Sequence, residues 1–247
     1  MNILYVVGSG SNWFDNELKY SLRSIEKNGI NVDNVFIVGE KPRFINEDKV
    51  KHIYCFDKFG FGQKHNNIHY KVEYAMNTGM LGDHFLISSD DHFYIKPTDF
   101  DAYPVYFRNK EIPTKTPEGV KPSIYWYSLF ETRKFLLKKG LPIYQTNPHA
   151  NTHIDVNLWR DNTKLFNEAM KIPYGGEINC IMGNLMIANG VEPQRITDCK
   201  VFKYKTEEQL KEKIADNHVF SIDDGAIECG IGRYLGNLFP DKCSYER

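Results

Sequence analysis

Phe85-Leu86-Ile87-Ser88-Ser89-Asp90-Asp91-His92-Phe93-Tyr94-Ile95-Lys96-Pro97 reads as a buried apolar strand ending in two adjacent carboxylates, with an imidazole next and a second short apolar run behind. Carboxylates placed just past the carboxyl end of a strand in an open α/β sheet sit where such folds bind their ligands. Two adjacent anions repel, and burying them is costly unless a cation or hydrogen-bond donors compensate. A divalent metal is the simplest compensation, and hard carboxylate oxygens suit magnesium or manganese. The competing reading is an Asp-Asp turn between two hairpin strands, with both side chains in solvent.

Upstream of this stretch the chain alternates strand and helix signals. Ile3 to Val7 is a short apolar run, and Gly8-Ser9-Gly10-Ser11-Asn12 is a loop of small residues. A helix is expected from Asp15 to Asn28, with Leu18, Leu22 and Ile25 on one face and Gly29 as its stop. Val35–Val38, Val50–Phe56 and Phe85–Ser88 read as further strands, and Asn66–Asn77 as a second helix with Ile68, Val72, Ala75 and Met76 inward. This alternation implies crossover connections and a mostly parallel central sheet flanked by helices. Downstream the rhythm changes. Residues 97–123 carry five prolines, which leaves room only for an isolated strand at Tyr106-Phe107-Arg108. Helices are expected over residues 124–139, 156–170 and 177–188, a strand at Val201–Tyr204, a helix capped by Thr206, and a last strand at Val219–Ile222. No internal repeat or linker divides the 247 residues, so one α/β domain with a more irregular C-terminal half is expected.

Composition excludes more than it identifies. With 31 basic and 32 acidic residues the formal net charge is −1, which argues against a strongly basic nucleic-acid-binding surface. Five scattered cysteines without a C-x-x-C pair fit a reducing compartment and disfavour structural zinc. The N-terminus enters a strand-like run directly, and no stretch approaches the roughly 18 apolar residues needed to span a bilayer. A soluble cytoplasmic protein is therefore expected.

Five other places hold candidate site residues. The Gly8-Ser9-Gly10-Ser11 loop lies between the first strand and the first helix, where a phosphate or ribose loop belongs. It matches neither G-x-G-x-x-G, because Trp13 stands at the third glycine position, nor a P-loop. Lys64, in the Gly60–Asn67 loop, is placed to pair with a donor phosphate or simply to be solvated; His65 and His69 beside it are read as solvated. Pro148-His149-Ala150-Asn151-Thr152-His153-Ile154-Asp155 gathers two imidazoles and a carboxylate; either histidine would complete a metal shell with the Asp pair, and Asp155 has an alternative role as a helix N-cap. Glu177, after Tyr174-Gly175-Gly176, is a candidate general base or a favourable charge at a helix start. His218 is a reserve metal candidate.

Taken together, these features resemble GT-A fold nucleotide-sugar glycosyltransferases, in which a D-x-D-like motif binds the metal that bridges the donor's diphosphate. The segment Asn16–Lys27 and the Phe85–Pro97 strand resemble Stealth-type capsular polysaccharide phosphotransferases, and Leu238–Glu246 resembles the C-termini of small phage-encoded glycosyltransferases. Ser89-Asp90-Asp91 stands in place of a strict D-x-D triplet. The resemblance implies residues 1–97 as a nucleotide-binding half and 98–247 as an acceptor-side half. It implies Mn2+ or Mg2+ held by Asp91, Asp90 and His153, and donor contacts from Gly8, Ser9, Gly10, Arg23, Lys64 and Asp90. Glu177 or Asp155 would be the acceptor base. The donor would be a UDP- or GDP-sugar and the acceptor a glycan, a protein or a hydroxylated DNA base. Sugar-1-phosphate transfer, a metal-dependent phosphoesterase or nuclease, and a catalytically silent binding module remain alternatives.

Overall fold

The computed structural model describes residues 1–8 and 11–247. β1 (Asn2–Val7) leads to α1 (Asn16–Asn28), the two-residue strand β2 (Gly29–Ile30) and β3 (Asn34–Gly39). β4 (Val50–Tyr54) follows without a helix, and α2 (Lys64–Asn77) crosses back to β5 (His84–Ser88). β6 (His92–Tyr94), β7 (Thr98–Asp99) and β8 (Tyr106–Phe107) are short, as the prolines require. Next come α3 (Ile124–Lys138), β9 (Thr152–Asp155), α4 (Val156–Asp161), α5 (Thr163–Ala169) and α6 (Ile178–Ala188). The chain ends through β10 (Gln194–Arg195), β11 (Lys200–Val201), α7 (Glu207–Ile214), β12 (Val219–Ile222), α8 (Asp224–Glu228) and α9 (Ile231–Leu238).

The central sheet has the order β4-β3-β1-β5-β9, parallel except for β9, which runs antiparallel to β5. Side chains alternate across it. Leu4, Phe36, Val38, Phe85 and Ile87 point into one core with α2, α3 and α6, while Ile3, Tyr5, Val35, Ile37 and Leu86 point into another beneath α1. Strands buried on both faces explain the near-continuous apolar runs seen in the sequence. A second sheet, β11-β12-β6, packs Phe93, Val201, Phe220 and Ile222 against α7, α8 and α9. The mixed α/β architecture with a mostly parallel sheet is as expected.

Several elements differ from expectation. β4 stops at Tyr54 and β11 at Val201. The Tyr106–Phe107 strand is not isolated, because it pairs with Gln194–Arg195. The helix expected over residues 156–170 breaks at Asn162, whose side chain donates to the Leu158 carbonyl at 2.9 Å. Trp159 and Phe166 stack at 3.9 Å across the break, so packing offsets the lost helical turn.

Candidate active site

The parallel strands all end on one edge of the sheet, at Val7, Gly39, Tyr54 and Ser88. β1 has β3 on one side and β5 on the other, so the strand order reverses at β1, where open α/β sheets form a ligand crevice. A cleft of about 810 Å³ opens there, with Gly8, Lys64, Asp90, Asp91, Glu177 and Lys200 among its walls. Gly39 is needed beside it, at the end of β3 next to Val7. Its φ is +122°, and a Cβ there would lie 1.9 Å from the Val7 carbonyl oxygen. That close approach leaves room for Lys71, whose ammonium donates to Val7 O at 2.9 Å and lies 2.5 Å from Asp57 Oδ1.

The Asp pair forms a turn, closed by the His92 amide donating to Ser89 O at 3.3 Å. It does not join a hairpin: β5 belongs to the central sheet and β6 to the second. The turn therefore bridges two sheets, and both carboxylates are mostly withdrawn from solvent. Asp91 Oδ2 accepts from Lys200 Nζ at 2.7 Å and from Ser221 Oγ at 3.3 Å. Burial pushes the Asp91 carboxyl up, but the Lys200 ammonium together with the nearby His92 and His149 imidazoles outweighs it, so Asp91 lies below the usual carboxylate range. Asp90 moves the other way, raised by burial and then by the Asp91 and Glu17 charges. Glu17 also lines the cleft, and burial raises it too, although its Oε2 accepts from Ser11 Oγ at 2.9 Å.

Glu177, also in the cleft lining, precedes α6, with its amide donating to Thr132 Oγ1 at 2.9 Å. The residue is 5 % exposed, and burial raises its pKa from 4.5 to about 7. His65 Nδ1 is 3.9 Å from Glu177 Oε1, but burial lowers this imidazole to about 4, which leaves it neutral near pH 7. His65 and His69 are thus buried rather than solvated; His69 packs edge-on against Trp159 at 4.8 Å. A carboxyl titrating near neutrality at a cleft wall suits general acid–base work.

The structure brings Gly8, Lys64, Asp90, Asp91 and Glu177 to one cleft and takes Arg23, Asp155 and His153 elsewhere. Ser9 and Gly10 lie outside the described residues. Arg23 grips the C-terminus instead of a phosphate: Nε donates to Glu246 Oε1 at 2.6 Å and Nη1 to Phe239 O at 3.0 Å. Asp155 pairs in register with His84, at the far end of β5 from the Asp turn, and caps α4 by accepting from Leu158 N at 2.9 Å. Its helix-capping role accounts for it, and the acceptor-base role does not stand. His153 has both ring nitrogens engaged, one with His84 Nε2 at 2.8 Å and one with Tyr103 O at 2.6 Å, so it has no free nitrogen for a metal. His218 sits among Tyr94, Tyr103 and Tyr106, at the end of β12 away from Ser221 and Asp91. His149 bonds Asp198 Oδ1 at 2.8 Å, and Asp198 is paired in turn with Arg108 at 2.6 Å.

The residue missed by sequence reasoning is Lys200. It lies 109 positions from Asp91, in the Lys-rich stretch 200–213, which the sequence allows as a basic groove or a solvated helix face. No spacing rule links a two-residue strand to a distant turn. Its partnership also decides how the Asp pair would receive a metal. Asp91 is occupied by an ammonium and a hydroxyl, the expected third ligand His153 is elsewhere, and among the described residues no three His, Cys, Asp or Glu side chains are grouped so as to hold a metal ion. The donor set as built does not fit a divalent ion.

No family model matches the sequence, and no curated protein sequence matches it. Solved structures do match its fold. A galactosyltransferase, LgtC, in complex with donor and acceptor sugar analogues superposes with a TM-score of 0.50 at 10 % identity, over 97 % of this chain and 95 % of that one. An active-site mutant of LgtC gives 0.50 at 12 % identity, over 96 % and 95 %. The fold is therefore of the GT-A type. Among the described residues no helix is long and apolar enough to cross a membrane.

Proposed function

We propose that this protein is a glycosyltransferase that moves a sugar from a nucleotide-sugar donor to a hydroxyl acceptor. The observation that carries the reading is the meeting of the Asp90–Asp91 turn, Lys64, Lys200 and Glu177 in one cleft, at the strand ends where the sheet order reverses. The likeness to LgtC supports the scaffold, and the residues supply the chemistry. The donor's diphosphate lies along the turn, where the two lysines offset its charge. The sugar extends toward Glu177. The bond between the anomeric carbon and the diphosphate oxygen breaks, and its electron pair leaves with the nucleoside diphosphate. A bond from the acceptor oxygen to the anomeric carbon replaces it, and the acceptor proton passes to the Glu177 carboxylate.

UDP- and GDP-sugars are the donors to test, and glycans, proteins and hydroxylated DNA the acceptors. The purified protein is incubated with each pair, and nucleoside diphosphate release is followed with the acceptor's mass. A mass gain of one sugar residue, matched by nucleotide release and lost in Glu177→Gln, is expected. Release of inorganic phosphate or cleavage of DNA without any nucleotide sugar would refute the reading in favour of a phosphoesterase or nuclease.

A further inference from the structure

We propose that Lys200, and not a divalent ion, supplies the positive charge at the Asp90–Asp91 turn, so that the cleft binds and releases a nucleoside diphosphate without metal. This rests on the donor reading above and goes beyond it by naming the group that stabilises the departing charge.

Lys200 is not a mobile surface side chain. It opens β11, in register with Ser221 of β12, and the strand is fixed by Ser221 N donating to Cys199 O at 3.0 Å. The Lys200 amide donates to Asp198 Oδ1 at 3.3 Å, and Asp198 is itself held by Arg108 and His149. The side chain is only 16 % exposed and reaches Asp91, 18 % exposed, along the cleft wall. An ammonium has three donors and no acceptor. One is spent on Asp91, which leaves two for oxygens in the cleft. A dication approaching Asp91 would meet a like charge already in contact with the carboxylate, and repulsion at that range is strong where water is scarce. Lys71, the other buried lysine of the cleft, is committed to Val7 O and Asp57.

The chemistry balances without a further reactant. When the anomeric C–O bond breaks, its electron pair stays on the diphosphate oxygen, and the N–H groups of Lys200 and Lys64 hydrogen-bond that oxygen without giving up a proton. Preorganised donors aimed at developing charge are among the strongest contributors to catalysis.

The test is a calorimetric titration of the full chain with UDP and with GDP, each in EDTA and in Mn2+. One nucleotide is expected to bind with dissociation constants within about threefold of each other in the two conditions. Lys200→Met should weaken that binding in EDTA by about tenfold to a hundredfold, the worth of a charge-assisted hydrogen bond, and Lys200→Arg should restore most of it. The wild-type comparison needs no variant, so a poorly folded Lys200→Met does not blunt the test. Mn2+ tightening wild-type binding by about tenfold or more would overturn the proposal and leave the donor reading standing. Binding of neither nucleotide in either condition would remove the donor reading, and this proposal with it.

Discussion

The two parts of the cleft lining are built by different means. The strand-end wall comes from residues close in sequence to regular elements: Gly8 follows β1, Lys64 starts α2, and Asp90 and Asp91 follow β5. The other part of the lining comes from the irregular half, with Glu177 beside a glycine pair and Lys200, on a two-residue strand, in contact with Asp91. The first carries the Asp pair, and the second brings the ammonium and the near-neutral carboxyl that make the pair usable. The difference teaches that a strand-end motif states where a site lies, while its charge balance is set by segments a hundred residues away.

The largest effect is expected at Glu177. Glu177→Gln should lower turnover by roughly a hundredfold to ten-thousandfold, the range for losing a general base, and should flatten a wild-type rate that rises with pH through about 7. A pH profile of the variant against wild type checks both points. Stability should move the other way. The folded carboxyl binds its proton more tightly than the unfolded one, so its contribution falls as pH rises from 4.5 to about 7. Above pH 8, Glu177→Gln should be more stable by up to about 3 kcal/mol in urea unfolding.

The Asp pair offers a sharper contrast, because two neighbours should respond with opposite signs. Asp91→Ala leaves Lys200 buried without its anion and should cost about 3 kcal/mol. Asp90→Asn removes a carboxyl that the fold prefers protonated, so near pH 8 it should unfold at equal or higher urea concentration than wild type. Equal losses in the two variants would dissolve the distinction drawn between them.

Much of the strand-end wall was legible in the sequence. Hydrophobic period placed α1, α2 and the parallel strands, and β5 ends where its apolar run does. Local patterns also suggested two roles for Asp155, and the structure keeps only the cap. Arg23 and His153 failed as site residues for a shared reason: each meets its partner through tertiary packing, Arg23 with the C-terminal Glu246 and His153 with His84 and Tyr103. Lys200 was illegible for the same reason in reverse.

Smaller effects test the scaffold around the walls. Burial holds His65, His69, His153 and His218 at about 4, below the ordinary 6.5. Their contribution is complete above pH 6.5 and is lost as pH falls through that window towards 4, so urea midpoints should decline steadily on acidification. Asp155→Ala should cost about 1 kcal/mol for a lost helix cap and leave turnover unchanged. A large loss of turnover would return Asp155 to the site.

The central claim is that the cleft receives a nucleotide sugar, and thermal unfolding of the chain against a panel of UDP- and GDP-sugars tests it most directly. A donor at a hundred times its dissociation constant stabilises the native state by about 2.7 kcal/mol, a rise of roughly 5–10 °C for a chain of this size. A rise of that order with one donor, weakened by Lys64→Ala, is the predicted result; no rise with any donor at millimolar concentration would contradict it.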